Sequence, residues 1–331
     1  MRPRKLARFL LDSTAGFAKI LTRNRICILN YHRILRPGQR MEDVQFDSGT
    51  YSGSEVDFNR HLDVIQDYGR VLTADEFLDV IDGKIRSPKN SVFLTFDDGY
   101  EDNYSVAYRL LRERKLTATF FVPTERLMNR TLEWWDLIAY FVKKTPKDKL
   151  VLRRVEAEID IGVDRKKAIS RLLTMVKNKR ASTAAVVEDL AEEAGVEYPN
   201  AQDQDREILS PAQVKEMLEG GMGIGAHGHS HRILSHLSVD DQRQEITTSK
   251  KILENVLGDR VTMLSYPVGG AGHYSEATKQ IVKEAGFRCA FNFQAKRWLV
   301  DPKNLDRYDI NRVGVLSPSD RRLRALLGGL P

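Results

Sequence analysis

Two cysteines in 331 residues are too few for a disulfide framework. Both Cys27 and Cys289 sit inside apolar runs that read as strands, so buried free thiols are expected. No stretch of about 18 or more apolar residues occurs, and no membrane-spanning helix is predicted. The basic residues are not gathered into a stripe with interleaved aromatics, and the net charge of +6 is mild for this length. That argues against nucleic acid as a partner. Internal repeats and low-complexity tracts are also lacking. What is present is 41% hydrophobic and 30% charged residues, spread along the chain. This is the composition of a soluble globular protein with a large core in one or two domains.

A leader is hard to find at the N-terminus. Arg2, Arg4, Lys5 and Arg8 precede Phe9-Leu10-Leu11, but a signal peptide needs an apolar stretch of roughly 7–15 residues. Asp12, Ser13 and Thr14 end this one after Leu11, and Lys19 interrupts the next. Leu6, Leu10, Phe17 and Leu21 recur near helical spacing instead, so residues 1–24 read as an amphipathic helix. Such a helix either packs on the domain or lies on a membrane surface. The expected location is cytoplasmic, with peripheral contact to the inner membrane face as the option this helix leaves open.

Seven β-rich runs stand out: Ile26–Tyr31, Val92–Asp97, Thr117–Val122, Met222–His227, Thr262–Pro267, Arg288–Phe293 and Ile310–Val315. Between them Val56–Tyr68, Ala74–Ile81, Asn103–Arg114, Asp240–Leu257 and Ser275–Ala285 carry the 3.6-residue apolar period of helices. Alternation of strand and helix implies an α/β fold with a parallel sheet. Seven such units suggest a distorted (β/α) barrel, placed here over residues 25–317. One interval breaks the rhythm. About residues 128–209 form an insertion, with an aromatic helix from Trp134-Trp135-Asp136, a strand pair within Val151–Ile161, charged helices Lys166–Val176 and Thr183–Ala194, and a polar link Pro199–Glu207. Residues 318–331 are read as a C-terminal tail.

In a parallel barrel all strand C-termini share one rim, where barrel enzymes place their chemistry. Asp97 and Asp98 end one run, His227 another, Tyr31-His32 the first, and Tyr266-Pro267 a fifth. Adjacent strand residues point to opposite faces, so Gly99 is expected to turn the chain and aim both acids at one site. His227 and His231 are four apart, a spacing that puts both rings on one side in a helix or tight turn. One carboxylate and two imidazoles make three metal ligands and leave positions open for water and substrate. Neighbouring acids suit a division in which one holds the metal and the other works on the water. His229 should point elsewhere. Zinc is the simplest ion for this set, with cobalt, nickel or iron also compatible.

Thr95-Phe96-Asp97-Asp98-Gly99 resembles the first motif of the polysaccharide deacetylase family (carbohydrate esterase family 4, related to chitooligosaccharide deacetylases). His227-Gly228-His229-Ser230-His231 resembles the second, in which Ser or Thr is usual where this chain has Gly228. Ser265-Tyr266-Pro267-Val268-Gly269 resembles its groove motif, and Asn30-Tyr31-His32-Arg33 and Trp134-Trp135-Asp136 look like features of one branch. The resemblance runs from about Cys27 to Val315. It implies a distorted (β/α) barrel and hydrolysis of an N-acetyl group from an amino sugar such as N-acetylglucosamine. By position, Asp97 matches the catalytic base, and Asp98, His227 and His231 match the metal triad. The metal and a backbone amide near Tyr266 would stabilise the oxyanion. Two departures matter. Ser265 stands where many members have Arg, and the late Leu-x-x-His that supplies a general acid is missing. Arg312 is the candidate for the guanidinium, and His32, then His273, for the imidazole. Tyr266, Pro267 and Arg312 are expected to contact substrate.

The reading is a metal-dependent hydrolase removing N-acetyl groups from a polysaccharide, oligosaccharide or glycolipid. Two alternatives compete with it: a catalytically weak carbohydrate-binding protein, and a hydrolase of another non-peptide C–N bond.

Overall fold

A computed structural model describes residues 25–178, 181–295 and 299–329. The expected N-terminal amphipathic helix lies outside them. Among the described residues, no helix is long and apolar enough to cross a membrane.

All seven expected strands form: β1 Ile26–Tyr31, β2 Ser91–Phe96, β3 Thr119–Val122, β4 Gly223–Ala226, β5 Met263–Ser265, β6 Cys289–Phe291 and β7 Val313–Gly314. From β1 to β6 each strand lies parallel to the next in chain order. β7 returns to pair with β1, while Ile310 bridges to Phe291 of β6, so the last segment joins the two ends of the curled sheet. A distorted (β/α) barrel results. Short additions sit at its edges: Arg70–Val71 pairs parallel with β2, and Leu299–Val300 antiparallel with β1.

Residue parity along the strands organises the interior. Ile26 and Ile28 of β1, Phe93 of β2, Phe121 of β3, Met263 of β5, and Cys289 and Phe291 of β6 share one apolar cluster. Phe77, Leu78 and Ile81 of helix Ala74–Ile81 join it. The alternate residues Cys27, Leu29, Tyr31, Leu94, Phe96, Phe120 and Val122 pack outward under the helices. Continued towards the strand C-termini, the inward series becomes Asn30, Thr95, Asp97, His227 and Ser265. The apolar filling gives way to polar groups at the rim. Cys27 and Cys289 are both free and buried, as expected.

The insertion folds around an apolar cluster of its own, running from Trp134 to Ala194. It contains helices Trp134–Lys144, Arg165–Lys177 and Thr183–Glu193 and the hairpin Lys149–Leu152/Ala157–Asp160. The segment read as a polar link holds a short helix, Ala201–Asp205. The chain rejoins the barrel by pairing with the loop after β2: Glu101 N–H donates to Glu207 O (2.9 Å) and Leu209 N–H to Gly99 O (3.0 Å). Arg33 pins this junction. Its guanidinium lies between the rings of Tyr51 and Tyr100 and pairs with Asp102 and Glu207.

Within the segment read as a tail, Asp320–Leu327 is a helix capped by Ser319. Leu323, Leu326 and Leu327 are spaced to form an apolar stripe, and they are buried where this helix meets helix Glu55–Tyr68.

Candidate active site

Asp97 stays in the strand ladder, its N–H donating to Tyr31 O at 3.1 Å, and keeps the inward parity of Thr95. Asp98 then takes a left-handed conformation (φ 76°), followed by Gly99 (φ 68°). The turn therefore begins one residue before the glycine that was expected to make it. Aspartate tolerates this region better than most residues, and the reversal returns the Asp98 carboxylate to the side that Asp97 faces.

The histidines leave β4 on a bent loop, not a helix. Gly228 (φ 74°) and His231 (φ 52°) reverse the chain, and a Cβ on Gly228 would lie 3.1 Å from Pro267 Cγ. Close approach and positive φ together account for glycine where the family usually has Ser or Thr. Glu245, on helix Val239–Leu257, clamps the loop by accepting from His229 N–H (3.1 Å), Ser230 N–H (2.9 Å) and the Ser230 hydroxyl. His229 points away and bonds Thr124 Oγ1 through Nδ1.

Asp98, His227 and His231 converge as predicted. Asp98 Oδ1 is 3.3 Å from Nε2 of each imidazole, and the two Nε2 atoms are 3.1 Å apart. Two ligands at 2.0–2.1 Å from a tetrahedral ion are about 3.3 Å from each other, so the triangle has the edges such an ion requires. His227 fits the role by tautomer too: Nδ1–H donates to Ser265 O (2.8 Å), leaving the Nε2 lone pair for a ligand bond. These three residues can hold a divalent metal. Burial alone would push the Asp98 carboxyl up, but its bonds to His227 and His231 hold it well below the usual carboxylate range. Burial would likewise lower His231, yet Asp98 and the charge of Glu133 raise it.

Asp97 stands beside this triangle, its Oδ2 4.0 Å from His227 Nε2. Arg312 donates to both of its oxygens, at 2.8 and 2.6 Å. Asn30 Nδ2 (3.1 Å) and Ser265 Oγ (3.3 Å) complete its shell. Burial acts to raise the Asp97 carboxyl, but the Arg312 and His227 charges outweigh it and hold the group below the ordinary range. Arg312 also donates to Ser265 Oγ at 2.7 Å, so a small residue at position 265 leaves the space this guanidinium fills.

A cavity of about 480 Å³ opens over these groups, lined by His32, Asp97, Asp98, His227 and His231. One face of helix Arg165–Lys177 (Lys166, Ile169, Ser170, Leu173, Thr174, Lys177) contributes lining from the insertion, together with Val268, Phe293 and Leu316. The His32 ring stands edge-on to Phe293 at 5.6 Å, with a buried and unpartnered Nδ1. Burial lowers its pKa, while Asp98 and Asp97 pull the other way. His273 does not line the cavity, and its Nδ1 accepts from Gly270 N–H.

None of the three expected substrate contacts, Tyr266, Pro267 and Arg312, lines this cavity. Ser265 points inward, so parity turns Tyr266 outward, where it is buried, stacked on Tyr274 and donating to Tyr308 O (2.9 Å). Its N–H is taken by Phe291 O (3.0 Å), so that amide is not available to an oxyanion. Pro267 is buried against Gly228, behind the histidine loop. Arg312 is fully buried and meets Asp97, not the cavity. Sequence reasoning missed Asn30, Ser265 and Glu245 as partners of the functional groups. Glu245 sits on a mixed buried face of its helix, with Gln242, Ile246, Ser249 and Leu253, so apolar spacing gave little signal of it.

Residues 84–290 match the model of the polysaccharide deacetylase family. YxkH of Bacillus subtilis (strain 168), whose name is that of a polysaccharide deacetylase, is 22% identical over 278 residues, spanning 84% of this chain and 67% of its own. A poly-beta-1,6-N-acetyl-D-glucosamine N-deacetylase of Staphylococcus aureus (strain MSSA476) is 30% identical over 122 residues, which is 35% of this chain and 42% of that enzyme. Among solved structures, IcaB from Ammonifex degensii superposes with a TM-score of 0.58 at 20% identity, covering 92% of this chain and 97% of that one. The Streptococcus pyogenes deacetylase PplD, in complex with acetate, gives 0.56 at 20% identity, covering 91% and 97%. Both structures share the fold.

Proposed function

Because the chain belongs to the polysaccharide deacetylase family, we propose that it is a zinc-dependent N-deacetylase acting on N-acetylated amino sugars of a polysaccharide, oligosaccharide or glycolipid. The observation that carries this reading is the pairing of roles at the rim. One acid, Asp98, closes a three-ligand triangle, while its neighbour Asp97 is held ionised outside it by Arg312.

A divalent ion held by Asp98, His227 and His231 supplies Lewis acidity when bound. Asp97 takes the proton of the attacking water. Arg312, Asn30 and Ser265 hold its carboxylate in place and keep it charged. The Ser265 carbonyl fixes His227 in the tautomer that presents Nε2. His32, on the same cavity, delivers a proton to the departing amine, the role left open by the missing late histidine. The products are acetate and a free amino sugar.

The shape of the site supports an extended glycan over a small cyclic amide. A second cavity of about 1030 Å³ also has Trp134 and His231 in its lining, so further space lies next to the first for the neighbouring sugars of a chain. The test is acetate release by purified protein with added zinc, cobalt, nickel or iron, using N-acetylglucosamine oligomers and other N-acetylated glycans. Metal-dependent release is expected. Metal bound without release from any of them would favour the carbohydrate-binding alternative.

A further inference from the structure

Glu133 immediately precedes the insertion helix Trp134–Lys144 and caps none of its N–H groups with its side chain. It is fully buried, and neither carboxylate oxygen has a hydrogen-bond partner. Arg126 Nε lies 3.4 Å from Oε2 without hydrogen-bond geometry. Burying a carboxylate with no donor is costly. The hydrolytic reading makes no use of it.

An orphan of the opposite kind belongs to the metal triad. His231 Nδ1 is buried and has no hydrogen-bond partner in another residue. Trp135, two positions after Glu133, stands edge-on to the His231 ring at 4.6 Å. Of the charges acting on Glu133, that of His231 weighs most, and His231 feels Glu133 in return. A metal-ligating histidine almost always donates its second N–H to an oxygen, which fixes the tautomer and orients the ring. His227 has such an acceptor in the Ser265 carbonyl. Its partner His231 has none from the barrel.

We propose that Glu133 is a positioning residue of the metal centre: with the ion held, its carboxylate accepts His231 Nδ1–H, a bond neither group makes in this structure, so that Nε2 faces Asp98 and His227. The proposal rests on reading Asp98, His227 and His231 as metal ligands. It gives the insertion a part in the site beyond lining the cavity: barrel and insertion build the metal centre together.

Zinc affinity of the full chain, measured by competition with a chromogenic chelator, tests it. Glu133→Ala should weaken zinc binding roughly 10–100-fold. Glu133→Gln keeps an acceptor oxygen without the charge and should lose less. Thermal unfolding of the zinc-free proteins supplies the control. If Glu133 serves only Arg126, both variants will shift unfolding yet bind zinc as wild type does, and the proposal is overturned. Long-range imidazole NMR of zinc-loaded wild type needs no variant to fold. A His231 Nδ1 proton in a strong hydrogen bond, shifted far downfield and slow to exchange, is expected, and an Nδ1 proton at the position of an unbonded imidazole N–H overturns the proposal. Failure of wild type to bind zinc would remove the ligand reading itself. Normal wild-type binding with indifferent variants would remove only the role of Glu133.

Discussion

Asp97 and Asp98 are chemically identical neighbours, and their surroundings alone divide the work between them. Asp98 touches two imidazoles, whereas Asp97 is gripped by a guanidinium, an amide and a hydroxyl. Asp97→Asn should therefore keep the metal and lose turnover by about 10²–10⁴-fold, the usual worth of a general base. His227→Ala should lose both metal and turnover. Metal content measured beside acetate release checks the pair of variants; equal metal loss in both would reverse the assignment. At this scale the ligands were legible because their spacing carries chemistry. Their supports were not. Nothing in a linear chain marks Asn30 as a neighbour of Asp97, and Arg312 was suggested only through the family resemblance, as a substitute for its missing guanidinium.

Among the elements, strand positions followed from apolar runs, but the turns that aim the site did not. Asp98 and His231 adopt positive φ without being glycine, and side-chain identity gives little warning of that. Gly69 shows the converse. It ends helix Glu55–Tyr68 in an extended conformation any residue could adopt (φ 178°), yet a Cβ there would sit 1.8 Å from the Asn90 carbonyl oxygen, in backbone just before β2. Gly69→Ala should cost about 2 kcal/mol or more of stability, because backbone, not a flexible side chain, must yield. Urea unfolding measures it, and an unchanged midpoint would show that helix and strand separate freely. The same approach explains why the helix stops where it does, which the apolar period alone left open.

For the molecule as a whole, the junction between barrel and insertion carries a pH signature. Asp136 accepts from the Asp47 N–H (2.9 Å) and the Tyr100 hydroxyl (2.7 Å), and Tyr100 in turn accepts from Trp135 Nε1 (2.7 Å). Burial pushes the Asp136 pKa up to about 7, against the opposing pull of Arg33 and Tyr100. The folded protein thus favours the protonated acid. Its contribution to stability is fully present below the unfolded value of about 3.9 and is lost as pH rises through about 7, a change of up to roughly 4 kcal/mol. Asp136→Asn should flatten the stability profile across that window. Denaturant melts at several pH values decide it, and a slope equal to wild type would mean that Asp136 does not titrate in this way.

Local pattern was enough to determine the seven strands, the barrel and the three candidate metal ligands. Apolar periodicity and ligand spacing are properties of neighbouring residues, and they survive in a bare string of letters. Tertiary structure decided which way each rim residue faces. A one-residue change of parity carries Tyr266 outward into the core and Ser265 inward to Asp97, and composition is blind to parity until the register is known. It also decided which distant groups meet, bringing Asn30 and Arg312 to Asp97. Those encounters depend on how the sheet closes, and contacts between segments so far apart leave no periodic trace in the chain.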